Sequence, residues 1–147
     1  MEELKPKNAI SYLEKMGVTS LTKEDNNLAL SLGGLQKGIS PLEMAGAYST
    51  IANNGEYIEP TFYSKITDKS NNTVVEPKQK KRRVFSKEVA CILQQLLTQP
   101  VKGTYGTATY CAISGVDVAA KTGTTDENYD RWLCGFTPYY TAVTWYG

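Results

Sequence analysis

Apolar residues along the chain follow two rhythms, one helical and one alternating, and the switch between them outlines the elements. Ile10, Leu13 and Met16 recur at helical spacing, which predicts a short helix over residues 6–16 closed by Gly17 in the left-handed conformation. Residues 18–35 are mixed and read as loop with a turn of helix. Ser40-Pro41-Leu42-Glu43 is a strong helix start: Ser40 caps the free amides, Pro41 suits the first turn and Glu43 completes a capping box. Leu42, Ala45, Tyr48, Ile51 and Ala52 give this helix an apolar face, Gly46 and its alanine neighbours allow close packing, and Asn53-Asn54-Gly55 ends it. Alternation over residues 61–67, a polar turn at 68–72 and Thr73-Val74-Val75 predict a hairpin. Ser86 opens a further helix whose buried stripe is Val89, Ile92, Leu93, Leu96 and Leu97, and Pro100 is expected to stop it. After a Gly/Thr/Tyr-rich loop, residues 116–122, 131–136 and 140–145 read as successive strands. The fold class expected is α+β, with an antiparallel sheet of about three C-terminal strands, helices and a small hairpin.

Composition narrows the chemistry. With 147 residues and 41% apolar content the chain can bury a core. A net charge of +1 gives no reason to expect nucleic acid as a partner, and the basic run at residues 78–83, without aromatic interleaving, reads as a solvated linker. No apolar run can span a bilayer, and no targeting segment is present in the sequence. Histidine is absent, which removes His-based triads and the usual zinc sites. Cys91, Cys111 and Cys134 form no metal pattern, and Cys91 and Cys134 read as buried free thiols. Nothing in the pattern calls for a cofactor or a metal.

The candidate chemistry sits in Lys121-Thr122-Gly123-Thr124. On a strand, the Lys121 ammonium would strengthen hydrogen bonds to an anion, each worth roughly 1.5–3 kcal/mol when charged. The Thr122 and Thr124 hydroxyls can donate to the same carboxylate, and Gly123 leaves room for a ligand backbone against the strand edge. The Thr124 N–H would be free to point at a developing oxyanion, a donor worth about 10²–10³ in rate. Alone, the tripeptide matches many solvent-facing turns.

Its surroundings are more specific. Ala119 to Thr125, then Asp130-Arg131-Trp132, Gly135-Phe136-Thr137-Pro138 and Val143-Thr144-Trp145-Tyr146-Gly147, resemble the transpeptidase domain of penicillin-binding proteins. Upstream, Gly33-Gly34, Ser40 to Ala45, Ala47-Tyr48-Ser49, Ile51 to Gly55 and Pro60-Thr61 fit in the same order. The context after Lys121-Thr122-Gly123 looks most like the class A, bifunctional members. The resemblance implies that Lys121 stands near a nucleophile and the substrate carboxylate. It implies that Thr122 and Thr124 bind that carboxylate, which belongs to a peptidoglycan stem peptide or a β-lactam, and that the Thr124 N–H forms half of an oxyanion hole. Tyr105-Gly106-Thr107 approximates a segment that precedes the motif strand in the family.

The family also needs Ser-x-x-Lys and Ser-x-Asn motifs. Ser20-Leu21-Thr22-Lys23 and Ser70-Asn71-Asn72 match as strings. Both read as decoys. Lys23 lies in a polar stretch without the burial that strips a lysine of its charge, and Ser70 falls in the predicted hairpin turn. In the family, the segments matching residues 40–60 follow both motifs. Residues 1–147 are therefore expected to be a partial transpeptidase domain, lacking its N-terminal portion and closing helix and inactive alone. The parent would be a membrane-anchored, extracytoplasmic serine D,D-transpeptidase that cross-links peptidoglycan. The open sheet edge would allow self-association. The rivals are a serine β-lactamase or penicillin-sensor domain, and a non-catalytic interaction module.

Overall fold

The computed structural model describes residues 3–147. Helix α1 spans Pro6–Lys15 and the chain leaves it through Gly17, at φ 89°. Gly17 is required twice over, because an added Cβ would also come within 2.3 Å of Tyr57 Oη. Helix α2 spans Pro41–Ala52 and carries the expected capping box: Ser40 Oγ accepts from the Glu43 N–H, and Glu43 Oε2 accepts from the Ser40 N–H at 3.0 Å. Its buried residues are Gly46, Ala47 and Thr50. Leu42, expected on the apolar face, is exposed. It lies in the first turn, outside the close approach that Gly46 makes to the Tyr57 ring.

The basic run is not a linker. Lys81–Arg83 forms strand β4, antiparallel to β1 at Glu56–Ile58, a short strand with no sequence signal. Arg82 explains the ordering. Its guanidinium donates to Lys15 O at 2.6 Å and Glu14 O at 3.1 Å, capping the last carbonyls of α1, and lies 4.4 Å from the centre of the Tyr57 ring. The hairpin forms between β2 (Ile66–Thr67) and β3 (Thr73–Val75), so the expected strand over 61–67 keeps only its last two residues. Asp68 organises the turn, accepting from the Ser70 and Asn72 amides.

Helix α3 spans Lys87–Lys102, and Pro100 lies inside it rather than ending it. Continuing for another turn buries Val101 beside Ala108, Val118 and Ala120, which offsets the hydrogen bond that proline removes. Most of the expected buried stripe is uncovered: Val89, Ile92 and Leu96 are exposed, Leu93 and Leu97 half-buried, and Ala90 and Val101 are the buried positions. Cys91 is exposed, contrary to expectation, while Cys134 is buried.

The C-terminal sheet comprises β5 (Ala119–Thr124), β6 (Arg131–Phe136) and β7 (Thr141–Tyr146), antiparallel in that order. The first strand starts later than its hydrophobic run implies, because Ile113 and Val116 pair with one another in a tight bridge. Helix α3 packs on β5, and α2 packs on β6 and β7. Within the described residues, β5 and β7 each have one strand neighbour.

Candidate functional site

Strand β5 buries Ala119 and Ala120 and then rises to the surface, leaving Thr122 and Gly123 half-buried and Lys121 and Thr124 exposed. All four candidate residues therefore share one strand beside its open edge. The direction of their main-chain groups follows from one bond. The Thr125 N–H donates to Asp130 O at 3.0 Å, toward β6. Alternation along an antiparallel strand then turns the N–H of Thr124, and both groups of Thr122, toward the open edge. Thr122 O agrees with this, since Lys121 Nζ donates to it at 2.6 Å.

Gly123 has no need of glycine's freedom. It is not among the positive-φ residues, and an added Cβ would meet Trp132 Cβ at 3.5 Å, an ordinary contact. Packing within the chain does not require its bareness, which leaves close approach by something outside the strand.

Thr107 was not among the sequence candidates, yet its Oγ1 lies 2.8 Å from Thr122 Oγ1. The loop before it is fixed by α3. Gly106 N–H donates to Gly103 O, Ala108 N–H donates to Pro100 O, and a Cβ on Gly106 would fall 2.2 Å from Pro100 O. The Tyr105-Gly106-Thr107 resemblance was the one sequence signal pointing here.

Among the described residues no activated nucleophile accompanies Lys121. Cys134 stands directly across the ladder from it, but burial pushes the thiol up to about 11. Tyr48, facing the same region, is pushed up to about 12 by burial and then by the neighbouring Cys134. Both stay protonated at neutral pH. Ser20 Oγ is buried without any hydrogen-bond partner, Lys23 included, and Lys23 is exposed on a single helical turn. Ser70 lies in the β2–β3 turn as expected. A cavity of about 920 Å³, lined mainly by apolar side chains such as Met44, Ile51, Leu93 and Leu96, opens beside Lys121 and Thr107. A smaller one, of about 280 Å³, runs along Lys121 to Thr125 beneath Leu30, Leu35 and Ile39. Among the described residues, no group of three acidic or cysteine side chains could hold a metal, and no helix is long and apolar enough to cross a membrane.

Residues 5–146 match the family model for the penicillin-binding protein transpeptidase domain. The chain is 40% identical to penicillin-binding protein 1F of Bacillus subtilis over 153 aligned residues, covering all of this chain and 21% of that protein. It is 39% identical to penicillin-binding protein 1A of Clostridium botulinum, covering 95% of this chain and 17% of that protein. The chain thus spans about a fifth of the length of these curated relatives. Among solved structures, penicillin-binding protein PonA1 of Mycobacterium tuberculosis shares the fold with a TM-score of 0.80 at 24% identity, over 95% of this chain and 40% of that one.

Proposed function

The chain belongs to the transpeptidase family of penicillin-binding proteins, with class A proteins among its relatives, and from that premise we propose that it supplies one wall of a serine D,D-transpeptidase site in a larger protein. The observation that carries the reading is the open edge of β5, where the outward Thr124 N–H, the Thr122 and Thr124 hydroxyls and the Lys121 ammonium meet beside a glycine that packing does not demand. In this reading the substrate carboxylate, from a peptidoglycan stem peptide or a β-lactam, is held by Thr122, Thr124 and Lys121. The Thr124 N–H stabilises the oxyanion as the acyl group passes to a serine outside residues 1–147. Thr107 shares a hydrogen bond with Thr122 and so sets the direction of its hydroxyl.

The segment bearing the nucleophile would cover the apolar cavity beside Lys121, which gives the exposed Leu96 of α3 a partner. The parent would be anchored in the membrane and act on its extracytoplasmic face. The alternative of a non-catalytic, self-associating module is supported by the outer edge of β7, which has no strand partner among the described residues.

The test is covalent labelling by a fluorescent penicillin. The isolated chain is expected to stay unlabelled, and the full-length parent to label. Lys121→Ala and Thr122→Ala in the parent should slow acylation by about 10²-fold or more. Labelling of the isolated chain that disappears in Ser20→Ala would overturn the assignment of the nucleophile. Unchanged acylation in both β5 variants would overturn the site.

A further inference from the structure

Beyond Thr124 a third cavity, of about 600 Å³, abuts the cleft along β5, and Trp132 and Thr125 line both. Its wall is a cross-strand tryptophan pair, Trp132 on β6 opposite Trp145 on β7, with ring centres 6.4 Å apart and planes tilted by 49°. The platform is locked. Trp145 Nε1–H donates to Asp130 Oδ1 at 2.8 Å, and Thr125 Oγ1 lies 3.3 Å from Asp130 Oδ2. Trp145 nevertheless remains 45% exposed.

Two carboxylates line this cavity, and they differ. Glu43 is saturated, accepting from the amides of Thr19, Ser20 and Ser40 and from the hydroxyls of Thr19 and Ser40. Asp130 keeps acceptor positions in hand, since a carboxylate offers about four, and it makes no salt bridge among the described residues.

The geometry points to a pyranose subsite: a sugar ring laid on the Trp145 face, with hydroxyls donating to Asp130. The positive C–H edges on one face of such a ring suit the negative face of an indole. Two other ligand classes are the rivals. An ammonium would be drawn to the rings and to the Asp130 carboxylate, with Lys37 opposing it, and the test sets it against the sugar. A peptide strand would need free main-chain groups, and here Thr125 N–H and Asp130 O are spent on each other. The inference rests on the transpeptidase reading, because peptidoglycan joins peptide to glycan and the cavity lies next to the proposed peptide edge.

Titration of the chain with N-acetylglucosamine trimer, followed by the two indole N–H resonances, tests it. Trp145 should shift saturably, Thr122→Ala should bind alike, and Trp145→Ala and Asp130→Asn should each weaken binding by about tenfold, or 1.4 kcal/mol. If Trp145→Ala loses its fold by circular dichroism, Asp130→Asn decides. The proposal fails if the trimer leaves both indoles unmoved, if Asp130→Asn binds as tightly as the parent chain, or if lysine ethyl ester shifts Trp145 and the sugar does not. Sugar binding without penicillin labelling of the full-length parent would sink the transpeptidase reading alone. Labelling without sugar binding would sink the subsite alone.

Discussion

Glu43 joins three pieces of chain with one side chain, accepting at 2.7 Å from the Thr19 N–H, at 3.2 Å from the Ser20 N–H and at 3.0 Å from the Ser40 N–H. Burial pushes its carboxyl upward, but the Ser40 and Thr19 amides and hydroxyls outweigh that and hold it at about 2, below the ordinary 4.5. A depressed acid contributes stability above its unfolded value and loses it as pH falls through the folded one. Stability should therefore be level above about pH 5 and decline toward pH 2. Asp25, held down by the Gln36 and Thr22 amides, shares in that decline. Urea denaturation of Glu43→Gln should show a loss of about 1–2 kcal/mol at neutral pH and a shallower acid slope. An unchanged slope would place the acid sensitivity elsewhere. The Ser40–Glu43 half of this arrangement was legible, since a capping box is written in adjacent residues. The reach to Thr19 and Ser20 was not, because it spans some two dozen positions that no local pattern connects.

At the scale of elements, what misled the reading was composition. The run at residues 78–83 carries the charge of a linker, yet Arg82 finds its partners on α1, far away in sequence. Pro100 looks like a stop, but the next turn gains a buried valine. The stripe on α3 has the right period, and its exposure follows from what packs there rather than from its spacing. The candidate site divides in the same way: Lys121 to Thr124 reads as a motif in adjacent residues, whereas Thr107 reaches it only through the fold of the 103–108 loop. That loop is sharply constrained. Gly106→Ala must drive a methyl group into Pro100 O, and should cost about 2–4 kcal/mol in thermal or urea unfolding. A loss under 1 kcal/mol would show that the loop yields more readily than its geometry implies.

Taken whole, the molecule has a sheet open on both sides among the described residues, at β5 beside the candidate site and at β7 on the far side. Thr141, Val143 and Trp145 alternate with Ala142, Thr144 and Tyr146 on β7, a pattern open to pairing with another chain, and a net charge of +1 offers little repulsion. Sedimentation should show association that grows with concentration. Thr144→Lys, at an exposed position, should reduce it, because a charge on an edge strand discourages pairing. A monomer at every concentration would remove the edge from consideration. The β1–β4 ladder carries a different consequence, one for proteolysis. Residues 78–83 are the densest cluster of lysine and arginine in the chain, and a trypsin-like enzyme needs such a bond extended and free. Here Lys80 O accepts from the Glu59 N–H, Lys81–Arg83 is paired with β1, and Arg82 is bound to α1. The stretch from Lys80 to Arg83 is thereby withheld, and first cuts are directed to exposed lysines outside it such as Lys37 and Lys78.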